Sequence, residues 1–162
     1  LTQQTEGYAE YETAMAAFDL VDPIYRKAVE YTRPLAAKWA EQNADKPCIN
    51  VMAQGPLFGA AYVFSICNVQ EMLQIDSCTI NTCDFFHGPF EILDSEMCKE
   101  TVVNQYGGER VYQLDAKELG LNDIKDSVSE YFNHLIFAPI LNNVYMRALS
   151  AVTHKDLSLI HI

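Results

Sequence analysis

Two side chains near the middle of the sequence have the chemistry needed to move protons near neutral pH. Glu71 lies within the run VQEML, close to the end of an otherwise apolar stretch that predicts a helix. A carboxylate at such a position either reaches solvent or is partly buried against a pocket, where it can act as an acid or a base. His87 lies sixteen residues further along, between aromatic residues and a Gly-Pro pair, and histidine exchanges protons near neutrality. The structural alternatives are a solvated helix-end carboxylate for Glu71 and a loop-stabilising hydrogen bond for His87.

Hydrophobic spacing in the first half of the chain predicts the elements that position these residues. Asp22 and Pro23 have the types that cap and open a helix, which should continue to about Asn43 with a bend at Pro34. Short apolar runs bounded by Pro, Gly and polar residues predict buried parallel strands. The elements predicted next are a strand at 48–53, a helix from about 57 to 75, a strand at 77–81, and a loop at 82–89 that enters a short helix ending near Leu93.

The second half of the chain continues the alternation of strands and helices. Its predicted elements are a helix at 96–105, a strand at 110–114, a helical turn at 116–119, and two helices at 124–137 and 139–152 that are separated at Pro139. This order predicts a single α/β domain whose parallel sheet is covered by helices on both faces.

Charge and composition narrow the class of protein. The chain has 162 residues with 11 Lys and Arg against 22 Asp and Glu, and its net charge of −11 is unsuited to a nucleic-acid partner. The uncharged stretch at 51–70 is interrupted by polar residues, Gly and Pro, so no membrane span is expected. The five cysteines are odd in number and form no C-x-x-C pair, which favours reduced thiols and a cytoplasmic location.

Other candidate groups have stronger structural explanations than chemical ones. Cys78 and Cys83 could bind a metal together with His87, but their spacing is irregular and the sequence offers no fourth ligand, so no metal is expected. A cysteine nucleophile paired with His87 is disfavoured in the same way. His134 is expected in the core or at a subunit interface.

Three segments together resemble a known family. Gln54-Gly55-Pro56 follows a predicted strand, the next helix ends in Gln70-Glu71, and the run FFHGPFE occupies 85–91. This pattern resembles the second half of a sugar isomerase (SIS) fold enzyme. The aromatic pair before His-Gly-Pro and the Phe-Glu after it resemble most of all the fructosamine 6-phosphate deglycases, which are relatives of the isomerase domain of glutamine-fructose-6-phosphate aminotransferase.

The resemblance implies roles for both candidate residues. Glu71 would be the acid/base that moves a proton between C1 and C2 of an open-chain sugar, and His87 would assist ring opening, often in the active site of the neighbouring subunit. The substrate implied is a phosphorylated sugar-amine, no metal or organic cofactor is needed, and a homodimer or higher oligomer is expected. His154 and Lys155 could also approach the substrate, as tail residues do in related enzymes.

The chain departs from the family pattern in ways that indicate about half of an enzyme. The Ser/Thr-rich loop that binds the sugar phosphate belongs to the first SIS half, and the run QGPL at 54–57 is too apolar to replace it. Asn68 stands where aminotransferase-type members carry a Lys, and the strand expected after Leu93 is missing. We therefore expect a three-layer αβα sandwich that is the second half of a two-SIS enzyme, short of one strand. Its expected divisions are a poorly defined segment at 1–22, the SIS domain at 23–158 and a tail outside the family pattern at 159–162.

Two classes of function are compatible with this sequence. The first is the catalytic half of a fructosamine 6-phosphate deglycase, which would release an amine or amino acid and glucose 6-phosphate. The second is a non-catalytic SIS module for sugar-phosphate sensing or dimerisation. An aminosugar-phosphate isomerase or aminotransferase half is a further enzymatic alternative, which Asn68 disfavours.

Overall fold

A long helix forms one side of the fold. The computed structural model describes residues 2–89 and 114–155. A short helix α1 (Thr2–Thr5) precedes helix α2 (Tyr11–Asn43). Apolar and small side chains spaced by three or four residues give α2 one buried face, which packs against the C-terminal helices. Its buried residues are Ala17, Ile24, Ala28, Thr32, Ala36, Trp39 and Ala40.

The start of this helix differs from the prediction, whereas its end at Asn43 is confirmed. Helix α2 begins at Tyr11 and runs through Pro23, so Asp22 is an interior residue and not a cap. Its carboxylate instead accepts a hydrogen bond from Arg26 Nε at 2.8 Å. The added turns gain tertiary packing, as in the edge-to-face contact of Phe18 with Phe132 at 4.9 Å. Such packing offsets the hydrogen bond that proline cannot make.

Two parallel strands form the described part of the sheet. Strand β1 (Cys48–Ala53) has the predicted bounds, and β2 (Asp76–Asn81) begins one residue before its predicted start. They pair in parallel from Cys48 opposite Asp76 to Ala53 opposite Asn81. The fold is therefore α/β with a parallel sheet, as the sequence predicts. The strands are only partly buried, because the only buried residues in them are Ile49, Ser77 and Ile80.

The crossover between the strands is a single helical rod with a change of pitch. Helix α3 (Leu57–Val63) continues directly into a π-helical segment at Phe64–Met72. The Leu73 amide donates to the Asn68 carbonyl at 3.0 Å, a bond of the wide i→i+5 type. The rod ends three residues before the predicted limit at Ile75, because Gln74 adopts a left-handed conformation with φ of 52°.

The C-terminal part of the chain is also one continuous helical rod. Helix α4 (Asp126–Pro139) leads into a π-helical segment at Ile140–Tyr145 and then into α5 (Met146–Thr153). The predicted break at Pro139 is therefore wrong: the backbone absorbs the proline by changing from α to π pitch at the next residue. Before this rod, the predicted helical turn at 116–119 is a hydrogen-bonded turn in which Leu119 N–H donates to the Asp115 carbonyl at 3.1 Å, and a short 3-10 helix follows at Leu121–Asp123.

Several predictions concern parts of the chain outside the described residues. These are the short helix ending near Leu93, the strand missing after it, the helix at 96–105, the strand at 110–114 apart from its last residue, and the tail at 159–162.

The core lies between α2 and the C-terminal rod. Val128, Ile136 and Leu149 are fully buried there, and Trp39 meets Tyr145 edge to face at 5.3 Å. Among the described residues, one helical stretch, Asp126–Thr153, is long and apolar enough to cross a membrane. Length and composition also let core helices of soluble proteins pass this test, so the absence of a membrane span stays a prediction.

Candidate active site

The structure places Glu71 at the end of the crossover rod. The residue lies in the last turn of the π-helical segment, and its side chain is exposed to solvent. The predicted position near the end of an apolar helix is confirmed, whereas partial burial against a pocket is not found in this chain. Glu71 is therefore a solvated carboxylate available to a molecule that approaches from outside.

Backbone hydrogen bonds fix the turn that carries Glu71. Leu73 N–H donates to the Asn68 carbonyl at 3.0 Å, Gln74 N–H to Gln70 at 3.0 Å, and Ile75 N–H to Val69 at 3.1 Å. These bonds satisfy carbonyl groups that a helix end would otherwise leave without partners. The three residues before Glu71 are thus hydrogen-bonded through their carbonyl groups to backbone amides that follow it, and these bonds hold the turn in one conformation.

Two side chains that shortly precede Glu71 attach this turn to the rest of the fold. Gln70 Nε2 donates to the Ser77 carbonyl of β2 at 2.7 Å, and the Ser77 hydroxyl bonds that of Ser65 at 2.6 Å in a buried site. Asn68 Nδ2 donates to Asn142 Oδ1 in the π-helical segment of the C-terminal rod. The exposed carboxylate consequently stands on a support that is tied to both the sheet and the helices.

The structure places His87 in the loop after β2. The residue ends a 3-10 turn, Phe85–His87, and its side chain is exposed. Its backbone N–H donates to the Asp84 carbonyl at 2.9 Å. Phe85 is fully buried and meets the half-exposed Phe86 edge to face at 5.0 Å. Burial of Phe85 therefore fixes the turn and leaves the imidazole facing solvent.

The loop that carries His87 is attached to the carboxyl ends of both strands. Thr82 N–H donates to the Ala53 carbonyl at 3.0 Å, and Cys83 N–H to Asn81 Oδ1 at 3.0 Å. The Cys83 thiol donates to Gln54 Oε1 at 3.4 Å. This thiol thus joins the loop after β2, which contains Cys83, to the loop after β1, which contains Gln54. Over residues 2–89 and 114–155, no group of three or more His, Cys, Asp or Glu side chains could hold a metal ion.

Glu71 and His87 lie at opposite ends of β2. Only three residues separate the helical segment of Glu71 from the amino end of the strand, while His87 follows its carboxyl end. A strand of six residues is about 17 Å long, so the fold holds the two side chains well apart within one chain. The structure does not bring the two predicted residues together in one chain.

Lys155 is brought to the Glu71 end of the sheet. Its ammonium donates to Gln74 Oε1 at 3.3 Å, and its carbonyl accepts from Ser150 Oγ at 2.6 Å. Gln74 lies three residues beyond Glu71, so a cation stands next to the turn of the predicted acid/base. No local pattern in the sequence indicates this contact, because Gln74 and Lys155 are 81 residues apart in the chain.

The other candidate residues from the sequence are two exposed histidines and the cysteines. His134 is exposed on α4, so its expected place in the core is wrong and an interface role stays a prediction. His154 adopts a left-handed conformation with φ of 57° at the end of α5 and is exposed. None of the four described cysteines, Cys48, Cys67, Cys78 and Cys83, forms a disulfide.

Comparisons with known proteins support the sugar isomerase (SIS) resemblance of the sequence, since the chain is similar to a fructosamine deglycase and shares its α/β fold with phosphosugar isomerases. The chain is 30% identical to fructosamine deglycase FrlB of Bacillus subtilis (strain 168) over 156 residues, which span 87% of this chain and 48% of that protein. No protein-family model matches the chain.

Two solved structures share the fold. A chain from Salmonella typhimurium LT2, provisionally described as a phosphosugar isomerase, matches with a TM-score of 0.86 and 30% identity over 99% of this chain and 54% of its own. A Bacillus subtilis chain with the same provisional description matches with a TM-score of 0.87 and 27% identity over 99% of this chain and 53% of its own. The chain thus spans about half the length of these relatives.

Proposed function

We propose that the chain is the catalytic half of a fructosamine 6-phosphate deglycase. The observation that carries this proposal is Glu71, a solvent-facing carboxylate on a turn tied to both the sheet and the helices. Proton transfer next to a carbonyl requires one carboxylate held close to two adjacent carbons. The 30% identity to a fructosamine deglycase supports this reaction.

The proposed reaction moves one proton from C1 to C2 and consumes one water. Glu71 takes a proton from C1 of the open-chain fructosamine 6-phosphate while the C2 oxygen gains a proton from solvent, which gives an enaminol. The protonated Glu71 then returns its proton to C2 while the amine nitrogen releases its N–H proton to solvent, and the C1–N bond becomes an imine. Water adds to C1 and the amine leaves, so the products are glucose 6-phosphate and a free amine or amino acid. A positioned carboxylate contributes roughly 10² to 10⁴ in rate to such steps.

We propose that His87 acts in the site of a second copy of the chain. Within one chain the two residues stand at opposite ends of β2, whereas a symmetric dimer can place the His87 end of one copy against the Glu71 end of the other. At that position the imidazole would transfer the proton that opens the sugar ring. The active form in this proposal is therefore a homodimer or a higher oligomer.

The charge of the chain places a requirement on substrate binding. A net charge of −11 repels a sugar phosphate at long range, so local donors must hold it. Lys155 is a donor of this kind near Glu71. The proposed chemistry uses neither a metal nor an organic cofactor, and the cytoplasmic location expected from the cysteines remains part of the proposal.

The test is turnover and binding with one carboxylate changed at a time. Amine release from a fructosamine 6-phosphate should fall to a small residual rate in Glu71→Gln, with an unchanged fold by circular dichroism. Glu41→Gln, which changes an exposed carboxylate on α2, should match the unchanged chain. Calorimetry with fructosamine 6-phosphate and with glucose 6-phosphate should show binding by both variants. Undiminished turnover in Glu71→Gln would remove the assignment of Glu71.

A non-catalytic SIS module is the second candidate. The separation of Glu71 from His87 within one chain favours it, since a single copy lacks a site that contains both. Binding of a sugar phosphate without amine release would support this module. Conversion of an aminosugar phosphate without amine release from a fructosamine would instead support an isomerase.

A further inference from the structure

Asn68 is the residue through which the turn of Glu71 is attached to the C-terminal rod. Its carbonyl accepts the Leu73 amide at 3.0 Å and so closes the wide turn that contains Glu71. Its side chain, on a residue only 7% exposed, donates to Asn142 Oδ1. A movement of Asn68 would therefore move the backbone on which Glu71 is carried.

Asn142, the hydrogen-bond partner of Asn68, lies in the π-helical segment of the C-terminal rod of the same chain. It belongs to the π-helical segment Ile140–Tyr145, which contacts the π-helical segment Phe64–Met72. The amide pair thus joins the two places in the described chain where helices widen to π pitch. Wide π turns occur frequently at functional sites, where they set the direction of a side chain.

Gln70, which directly precedes Glu71, attaches the same turn to a different element. Gln70 Nε2 donates to the Ser77 carbonyl at the amino end of β2. Hydrogen bonds to two different elements constrain the orientation of the turn more tightly than one does. The Asn68–Asn142 contact is the partly buried side-chain hydrogen bond from this turn to the C-terminal rod, and the other contact from that end of the chain, Lys155 with Gln74, is exposed.

We propose that Asn68 and Asn142 are positioning residues for Glu71. The proposal rests on the proposed function, since it concerns the placement of the carboxylate that transfers the proton. A displacement of the order of 1 Å in such a group can cost about 10² in rate. The buried amide pair therefore acts through Glu71 and contacts no substrate.

The test replaces the acceptor and then restores it. Asn142→Leu removes the hydrogen-bond acceptor, whereas Asn142→Asp keeps an acceptor oxygen at the same place. Asn143→Leu, at an exposed neighbour in the same segment, is the matched control for changes in helix stability. We expect kcat for amine release to fall about ten- to a hundredfold in Asn142→Leu with KM nearly unchanged. The Asp variant and the Asn143 control should stay within about threefold at their own pH optima.

The same change in a Glu71→Gln background separates positioning from general destabilisation. If Asn142 acts through Glu71, adding Asn142→Leu to Glu71→Gln should cause no further loss of residual activity. A loss that multiplies with that of Glu71→Gln would overturn the proposal, as would equal losses in Asn142→Leu and Asn143→Leu.

Hydrogen exchange tests the anchor without any turnover. The Leu73 and Gln74 amides should exchange at least tenfold faster in Asn142→Leu than in Asn142→Asp or Asn143→Leu. Equal exchange in all three variants would show that the amide pair does not hold the turn and would overturn the proposal. A third outcome is that the unsubstituted chain shows no turnover but Asn142→Leu still exchanges faster. The proposed function and the effect of Asn142 on kcat would then be wrong, whereas the amide pair would be established as an anchor of the turn.

Discussion

Glu71 illustrates how the role of a residue depends on what supports it. The carboxylate itself is exposed, and an exposed glutamate is ordinary on a protein surface. What distinguishes Glu71 is that its neighbours Asn68 and Gln70 are hydrogen-bonded to distant elements. At the scale of single residues, reactive groups are thus held in place by polar side chains that do not themselves react.

Glu10 provides a prediction at the same scale. Its carboxylate accepts hydrogen bonds from Lys125 Nζ and Ser127 Oγ, both at 3.1 Å, and these contacts join the start of α2 to the start of α4. The hydrogen bond from Lys125, followed by those from Thr13 and Ser127, lowers the pKa of Glu10 below its ordinary value of 4.5. A lowered folded-state pKa adds stability that is complete above the ordinary value and is lost as pH falls through the folded one.

Glu10→Gln should therefore lower the melting temperature at pH 7 and have no effect at about pH 2, where the native carboxyl is protonated. Thermal unfolding across this pH range measures the difference, with Glu41→Gln on the same helix as a control. The effect should also shrink in 1 M salt, because Lys125 and Glu10 are accessible to ions. A difference that grows toward low pH would contradict the assignment.

At the scale of elements, the βαβ unit depends on polar contacts that cross between the helix and the strand. The Ser65 and Ser77 hydroxyls are buried and bond each other at 2.6 Å, which sets how the π-helical segment lies on β2. Buried hydroxyls are tolerated when each is the partner of the other, and each becomes unfavourable when that partner is removed.

Removing one hydroxyl should therefore cost more than removing both. Ser77→Ala leaves the Ser65 hydroxyl buried without this partner and should lower the free energy of unfolding by about 1–3 kcal/mol. The double variant Ser65→Ala with Ser77→Ala should recover part of this loss. Urea unfolding of the two variants and of Ser65→Ala alone would measure the coupling, and purely additive losses would rule it out.

At the scale of the whole molecule, the topology separates the two candidate residues. A right-handed βαβ crossover returns the chain to the start of the next strand. The end of its helix therefore lies near the amino ends of the strands, whereas the next strand finishes at their carboxyl ends. Glu71 comes from the first of these places and His87 from the second. In the proposed enzyme, a complete site therefore needs two copies.

Mixing two inactive variants tests this arrangement. Glu71→Gln and His87→Gln should each be inactive alone, whereas co-refolded chains should form mixed dimers with one complete site. Random assembly would restore about a quarter of the activity of the unchanged dimer. Amine release from the mixture measures the recovery. If the mixture is as inactive as its components, the two residues do not act across a dimer.

Local chemistry explains which parts of the fold could be predicted from the sequence. The strand at Cys48–Ala53 and the end of α2 at Asn43 were predictable because apolar runs and breakers are local signals. The start of α2 and the continuous rod through Pro139 were not, because tertiary packing and a change of helical pitch outweighed the local cost of proline.

The residue types of the site and their spacing can be read directly from the sequence, as Glu71 and the His-Gly-Pro run show. The exposure of Glu71, the approach of Asn142 and Lys155 to its turn and the position of His87 at the other end of β2 emerge only from the folded chain. These features depend on residues that are far apart in the chain. The contacts from Asn68 to Asn142 and from Gln74 to Lys155 span 74 and 81 residues, and no local pattern records them.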